Sequence, residues 1–339
     1  MKSAVRTGRR RMLGGLLAAG AAVAASPVAA QSTAQAQVQN FPAKPIQIIV
    51  GFAAGTTTDT IARVAAEHLR ARLGQPVVVI NKPGANGVIG ATEVARAAPD
   101  GYTLLATNTS SMTVNPHLYR KLGYVMADFV PVTMMTSAPL ILTLNPANER
   151  TGQIRTVAEL VSWARARPGA LSYAAAGPGN ITGLTFRILN NHAGIKANEV
   201  LYKSAVASQM GVLAKEVDAF IDTPLAVPPI KAGKLTALAV TGPRRWRDLP
   251  DVPTMKEAGF PQIDVTFWLA LFAPAQTPPA IVEKLHATLA TLKDDANLVR
   301  QLLPHGDVDL VGPKEFGERL RTESAAWAEI IRRENIQLD

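Results

Sequence analysis

The sequence predicts an α/β protein of two units, each a mostly parallel sheet flanked by helices. Three observations carry that prediction. Short β-branched runs alternate with helical periodicities, the order that folds into parallel strands joined by covering helices. A glycine-rich strand-loop-helix pattern occurs twice, after Ile46 and again after Leu171. About 300 residues remain beyond a leader segment and 47% of the chain is apolar, enough for two ordinary cores.

The chain starts with Lys2, Arg6, Arg9, Arg10 and Arg11, then an Ala- and Leu-rich run from Met12 to Ala25, then small residues. This is the pattern of an export signal over residues 1–36, with cleavage after Ala30 or Ala36. Its apolar run of about 14 residues is shorter than the roughly 20 that span a bilayer, so a retained membrane helix is the weaker reading. Arg9-Arg10-Arg11-Met12-Leu13 fits both a twin-arginine motif and the basic start of a Sec signal. The formal charge of +9 includes five cations and no acid before residue 31; beyond it 30 cations face 26 acids, a surplus of four. That surplus is too small for a nucleic-acid surface and compatible with attracting small anions. The absence of cysteine excludes disulfides, thiol chemistry and Cys-based metal sites.

The mature chain is organised around residues 45–72. Ile46-Gln47-Ile48-Ile49-Val50 reads as a strand, Gly51 to Thr58 as a tight loop, and Ile61, Val64, Ala65 and Leu69 as one face of a helix. Asp59 stands where a side-chain acceptor caps the first turn, and the free N–H groups of such a turn attract anions. Gly51 and Gly55 allow close backbone approach, while Thr56, Thr57 and Thr58 line up hydroxyls beside the helix start. The loop has neither the Gly-Lys-Ser/Thr of a Walker loop nor a dinucleotide fingerprint.

Pro76 to Ile80 is a second, buried strand, and Gly84, Gly87 and Gly90 lead into a helix, serving packing or binding alike. Tyr102 to Ala106 is a third strand that empties into Thr107-Asn108-Thr109-Ser110-Ser111, at the strand end where open α/β sheets place ligands. Val130 to Leu144, β-prone and carrying Pro131 and Pro139, reads as an extended crossing into the second unit. There Thr156 and Glu159 form a capping box for the helix from Val157 to Ala166. Leu171 to Ala175 is a strand that enters Gly177-Pro178-Gly179-Asn180-Ile181-Thr182-Gly183 and a helix through Asn191. Two such loops, one per unit, suggest a cleft closed by facing helix N-termini. Val217 to Asp222 and Leu235 to Thr241 are further strands, Phe267 to Ala273 carries the chain back, and the C-terminal region is amphipathic helix.

At this point the residues resemble the periplasmic solute receptors of tripartite tricarboxylate transporters, the Bug-type receptors. The resemblance covers essentially the whole mature chain. It is carried by Asn81-Lys82-Pro83-Gly84-Ala85-Asn86-Gly87 with Ile89-Gly90, by Ala98-Pro99-Asp100-Gly101-Tyr102-Thr103-Leu104, and by Val114-Asn115-Pro116-His117-Leu118-Tyr119. Ile230-Lys231-Ala232-Gly233-Lys234-Leu235 and Leu249-Pro250-Asp251-Val252-Pro253-Thr254 extend it. It implies a two-domain periplasmic-binding-protein clamshell joined by crossing strands, with lobe 1 over 40–140 plus 270–339 and lobe 2 over 141–269. It also implies a periplasmic location, a small organic carboxylate as ligand and integral-membrane transporter subunits as partners; a monomer that binds no nucleic acid is expected. The grip falls on Phe52, Ala53, Gly55, Thr56, Thr57, Thr58 and Asp59 in one lobe and on Gly177, Gly179, Asn180 and Thr182 in the other. Thr107, Asn108, Thr109, Ser110, Lys203, Ser204 and Asp222 complete the wall. The first loop departs from the family in carrying Ala53-Ala54-Gly55-Thr56 for a proline and a Gly-Gly pair, which makes it bulkier and richer in hydroxyls. Gly183 replaces a common histidine, and Tyr202-Lys203-Ser204 with Ala207 replaces Tyr-Lys-Gly and a following proline.

Several residues carry two readings. Asp59 is a helix cap or a partner for an amino group on the ligand; Lys203 is a solvated surface lysine or a carboxylate partner. Asp222 caps the next segment or meets a donor on the ligand, and Trp268 packs in the core or hinge or lines the pocket. The five histidines are dispersed, with no HExxH pattern, and no Gly-x-Ser-x-Gly elbow occurs. No cofactor, metal or catalytic residue is therefore expected. A ligand sensor for a signalling partner is the alternative function, and an exported hydrolase a weaker one.

Overall fold

A computed structural model describes residues 40–338, so the export signal expected over residues 1–36 lies outside the described residues. Strand β1 (Ile46–Val50) enters a loop and helix α1 (Thr57–Leu73) follows. Helix α1 buries Ile61, Val64, Ala65 and Leu69 on one face. It stops at Gly74, whose φ of 69° lets its N–H return to Arg70 O at 3.1 Å. Strand β2 (Val77–Asn81), helix α2 (Val88–Ala95) and strand β3 (Thr103–Asn108) come next. A π-helical turn (Ser110–Val114) and the short α3 (Asn115–Leu118) then lead to β4 (Phe129–Pro139).

Only Leu140 separates β4 from β5 (Ile141–Leu144), so one extended segment passes from the first sheet into the second. Helix α4 (Val157–Arg165) follows, with Thr156 Oγ1 accepting from Glu159 N–H at 3.1 Å. Glu159 returns its carboxylate to the N–H of Arg155 rather than of Thr156, at 2.7 Å, so the expected box is displaced by one residue. The second unit continues through β6 (Ser172–Ala175), α5 (Ile181–Ala193), β7 (Asn198–Leu201) and α6 (Ala205–Leu213). It is completed by β8 (Ala219–Asp222), α7 (Val227–Lys231) and β9 (Thr236–Val240). Strand β10 (Thr266–Pro274) returns to the first sheet, where α8 (Pro279–Ala290), α9 (Ala296–Leu302), β11 (Asp307–Val311) and α10 (Pro313–Arg333) finish the chain.

The first sheet has the order β11-β4-β10-β3-β1-β2 and the second β7-β6-β8-β5-β9. Both are mixed. Pairing is parallel where a helix connects neighbours, at β1 with β2 and β3 and at β6 with β7 and β8. It is antiparallel where the crossing strands enter: β10 against β3 and β4, β11 against β4, and β5 against β8 and β9. The mostly parallel expectation holds for the helix-connected side of each sheet. The other side differs because the chain leaves along β4 and comes back beside it along β10.

Thr241 ties the two crossings together. Its Oγ1 accepts from Leu140 N–H at 2.9 Å, its N–H donates to Leu140 O at 2.9 Å, and its carbonyl accepts from Val265 N–H at 3.1 Å. Each sheet has its own core: Trp268, Phe272 and Phe316 anchor the first, Phe220, Val240 and Trp246 the second. Trp268 is fully buried, meets Phe316 edge-on at 5.0 Å and donates its Nε1–H to Glu323 at 2.6 Å, which decides for the core reading of this residue. Among the described residues no helix is long and apolar enough to cross a membrane.

Candidate functional site

A cavity of about 440 Å³ opens between the two sheets, walled by residues from both. Three helix N-termini face it. On the first side Gly51 ends β1 and Thr56 starts α1 with extended dihedrals of −75° and 160°. The Thr56 hydroxyl donates to Ala53 O at 2.8 Å and accepts weakly from Asp59 N–H at 3.5 Å. Thr57 and Thr58, on the wall, occupy the first turn, where backbone N–H groups lack an intrahelical acceptor. The hydroxyls are less free than their sequence suggests: Thr58 Oγ1 accepts from Asn108 Nδ2 at 3.3 Å, and Asn108 Oδ1 takes Ser110 N–H at 3.0 Å.

On the second side Asn180 caps α5, its Oδ1 accepting from Thr182 N–H at 3.1 Å and Thr182 Oγ1–H at 3.0 Å. Ala176 N–H donates to the same threonine oxygen at 3.4 Å, which folds the loop into a turn around the helix start. The third N-terminus belongs to α6. Ser204 caps it through Ala207 N–H at 3.2 Å, and the exposed Lys203 stands immediately before it. Lys203 is the sole Lys or Arg, and Asp and Glu are absent, among the described residues that line the cavity. Helix N-termini and one ammonium make the wall electropositive without a compensating carboxylate.

Of the positions expected at the site, Phe52, Ala53, Thr56, Thr57, Thr58 and Asn108 stand on the wall from the first side. Gly177, Asn180, Thr182, Lys203 and Ser204 stand on it from the second. The remaining seven do not line it. Gly55 is exposed and donates its N–H to Asp59 at 2.9 Å. Asp59 also takes Arg63 Nε at 3.0 Å and Asn81 Nδ2 at 2.8 Å, and Thr56 has its place as the cap. Burial alone would raise the Asp59 pKa; the bonds from Arg63, Gly55 and Asn81 outweigh it and hold the carboxyl below its ordinary range. Thr107 is buried in β3, in register with Ala270 of the neighbouring β10. Thr109 Oγ1 accepts from Trp268 N–H at 2.9 Å, and Ser110 Oγ from Ile181 N–H at 3.2 Å. Gly179 packs toward Leu118 and Leu338. Asp222 is fully buried beneath the wall, where burial pushes its pKa up to about 7 against bonds from Gln209 at 2.8 Å and Thr223 N–H at 2.6 Å.

The sequence reading missed the segment Pro83–Gly87, which walls the cavity from the first side. Asn86 lies in the left-handed region at φ 54°, ψ 40°. Its Nδ2 donates to Asn115 Oδ1 at 3.0 Å and Gly179 O at 3.2 Å, while its Oδ1 accepts from Asn180 Nδ2 at 3.1 Å. An asparagine between small residues and glycines was the available signal. The neighbouring glycines serve packing: a Cβ on Gly90 would lie 2.8 Å from Gly51 Cα, and one on Gly51 would lie 2.8 Å from Gly87 Cα. Leu201, Val206, Leu225 and Phe267 supply an apolar part of the wall and were also missed, because nothing local marks an apolar residue as facing a cavity. Among the described residues no group of three or more His, Asp or Glu is placed to hold a metal ion.

Comparisons with known proteins agree with this arrangement. A family profile described as "Tripartite tricarboxylate transporter family receptor" matches residues 61–336. The protein BugT of Bordetella pertussis is 33% identical over 309 residues, which cover 90% of this chain and 94% of that protein. Among solved structures, Rpa4515 of R. palustris with adipate superposes with a TM-score of 0.81 at 30% identity, covering 88% of this chain and 99% of that one. The periplasmic binding protein BugD superposes with a TM-score of 0.79 at 32% identity and covers 88% and 99%. These family and structural neighbours are solute-binding receptors, not enzymes.

Proposed function

The chain belongs to the tripartite tricarboxylate transporter receptor family, and from that premise we propose that it is an exported, periplasmic receptor for a small organic carboxylate. It captures the carboxylate between its two lobes as a monomer and delivers it to the membrane subunits of a tripartite tricarboxylate-type transporter. The observation that carries this reading is the convergence of helix N-termini from both sheets on one cavity that holds Lys203 and no acid. The adipate bound to its relative supports the same ligand class.

The energetics suffice. Charge-assisted hydrogen bonds contribute about 1.5–3 kcal/mol each. Four or five of them, less the cost of ordering and closure, reach the roughly 8 kcal/mol of micromolar binding. The closing motion is a hinge at Leu140, Thr241 and Val265, where the crossing strands are bonded together. Thermal denaturation of the purified protein with a panel of mono- and dicarboxylates tests the proposal. At least one aliphatic or aromatic member raises the midpoint; a flat response across the whole panel removes the carboxylate reading.

A further inference from the structure

Asp222 has no exposed surface, yet its chain neighbour Thr223 lines the cavity. The two residues are bonded: Asp222 Oδ1 accepts from Thr223 N–H at 2.6 Å and from the Thr223 hydroxyl at 3.4 Å. Asp222 Oδ2 accepts from Gln209 Nε2 at 2.8 Å, and Gln209 belongs to α6, whose N-terminus faces the same cavity. All three donors are neutral, and no cation pairs with this carboxylate among the described residues. Strand β8 packs against β5, β6, α5 and α6. Neither β5 nor α6 carries a titratable side chain. Tyr173 of β6 is in register with Ala219, three positions back along β8. On α5, Arg187 pairs with Glu199 at 2.8 Å and His192 stands beside Glu334 at 3.7 Å. His305, on a turn packed against Pro224–Ala226, is held below its ordinary pKa by burial. Lys203 stands on the wall and makes no ion pair with Asp222.

Burial without a cation raises the Asp222 pKa to about 7, so its charged and neutral forms are close to balance at neutral pH. An anionic ligand tips that balance. A carboxylate about 12 Å away, at an effective dielectric of about 20, makes the charged form of Asp222 about tenfold less favourable. Protonation also gives Asp222 an O–H that can donate to Thr223 Oγ1, which frees the Thr223 hydroxyl proton for an acceptor in the cavity. Both effects favour the protonated form in the loaded protein. Building on the receptor reading above, we propose that Asp222 takes up a proton from solvent as the carboxylate binds, so that the receptor loads its ligand together with a proton.

Calorimetric titration of the purified protein with adipate at pH 7.5, in phosphate and in Tris, tests this, because the two buffers release protons with different heats. Where adipate does not bind, the panel carboxylate that most raises the melting midpoint takes its place. About half a proton per ligand is expected to be taken up by the wild type, and none by Asp222→Asn. From pH 6.5 to pH 9 the wild-type dissociation constant is expected to rise about sevenfold, while that of Asp222→Asn stays level. Gln209→Leu removes a donor to the charged form, so the pH of greatest uptake is expected to move upward. That variant keeps the proposal open to refutation where Asp222→Asn fails to fold. Equal heats in the two buffers, uptake by Asp222→Asn equal to the wild type's, or an unmoved maximum in Gln209→Leu overturns the proposal and leaves the receptor reading standing. Absence of binding across the whole carboxylate panel removes both.

Discussion

The side chain of Asn86, on the first sheet's side, is bonded to that of Asn180, the cap of α5 on the second, at 3.1 Å. With the further bond from Asn86 to Gly179 O at 3.2 Å, one residue joins the loop after β2 to the second-lobe loop beside the cavity. Asn86→Gly keeps the left-handed backbone and deletes these two bonds together with the one to Asn115 Oδ1. Each is worth about 0.5–1.5 kcal/mol, so the unfolding midpoint is expected to fall and ligand dissociation to accelerate about tenfold, whereas Asn115→Ala, which spares the two bonds between the loops, leaves the dissociation rate unchanged. Stopped-flow tryptophan fluorescence on the loaded protein reads the rate, and an unaltered rate contradicts this latch.

Gly179 is the neighbouring contact. A Cβ there would lie 2.2 Å from Leu118 Cδ2 and 2.8 Å from Leu338 Cδ1, at a φ of +66°. The leucine ends can shift, but the left-handed backbone penalty remains, about 1–2 kcal/mol. Gly179→Ala is therefore expected to lower both stability and affinity, the second more strongly because the displaced leucines belong to the opposite lobe. Equilibrium urea unfolding together with titration separates the two effects.

Lys203 is exposed and lacks an acid partner among the described residues, so its attraction for an anion is screened by salt. Lys203→Met is expected to weaken carboxylate binding about 3- to 10-fold at low ionic strength, and much less at 0.5 M salt. Salt-independent loss would assign the lysine to packing instead.

Asp222 predicts a pH dependence. Burial raises its pKa from the ordinary 3.8 to about 7, against the opposing bonds from Gln209 and Thr223. Between those values the folded protein binds more protons than the unfolded chain, so this residue makes stability fall as pH rises from about 4 to about 7. The penalty is absent below the unfolded pKa and complete above the folded one, up to about 4 kcal/mol. Asp222→Asn keeps the shape, with Gln209 able to turn its amide and preserve the bond. Melts of both proteins from pH 4 to pH 8 are expected to show the variant gaining most at pH 8; parallel curves count against this assignment.

Much of the architecture was legible because it rests on short-range rules. The alternation in Ile46–Val50, the periodicity from Ile61 to Leu69 and the cap preference of Asn180 act within a few residues, so β1, α1 and α5 appear where expected. The cap of α1 fell three residues early, on Thr56 rather than Asp59, since either can accept from a first-turn amide. Thr107, Thr109 and Ser110 read as a ligand-facing cluster, yet Thr107 is buried, the Thr109 hydroxyl is taken by Trp268 N–H of β10, and that of Ser110 by Ile181 N–H of α5.

Local chemistry along the chain thus settled the strand-loop-helix units and their electropositive loops. Which residues face the cavity depended on packing between segments far apart in sequence: Asn86 meets Asn180 across 94 positions. Periodicity and capping carry no information at that range. It is the paired crossings of β4 and β10, buried against each other and joined at Thr241, that bring the two loops to a common space.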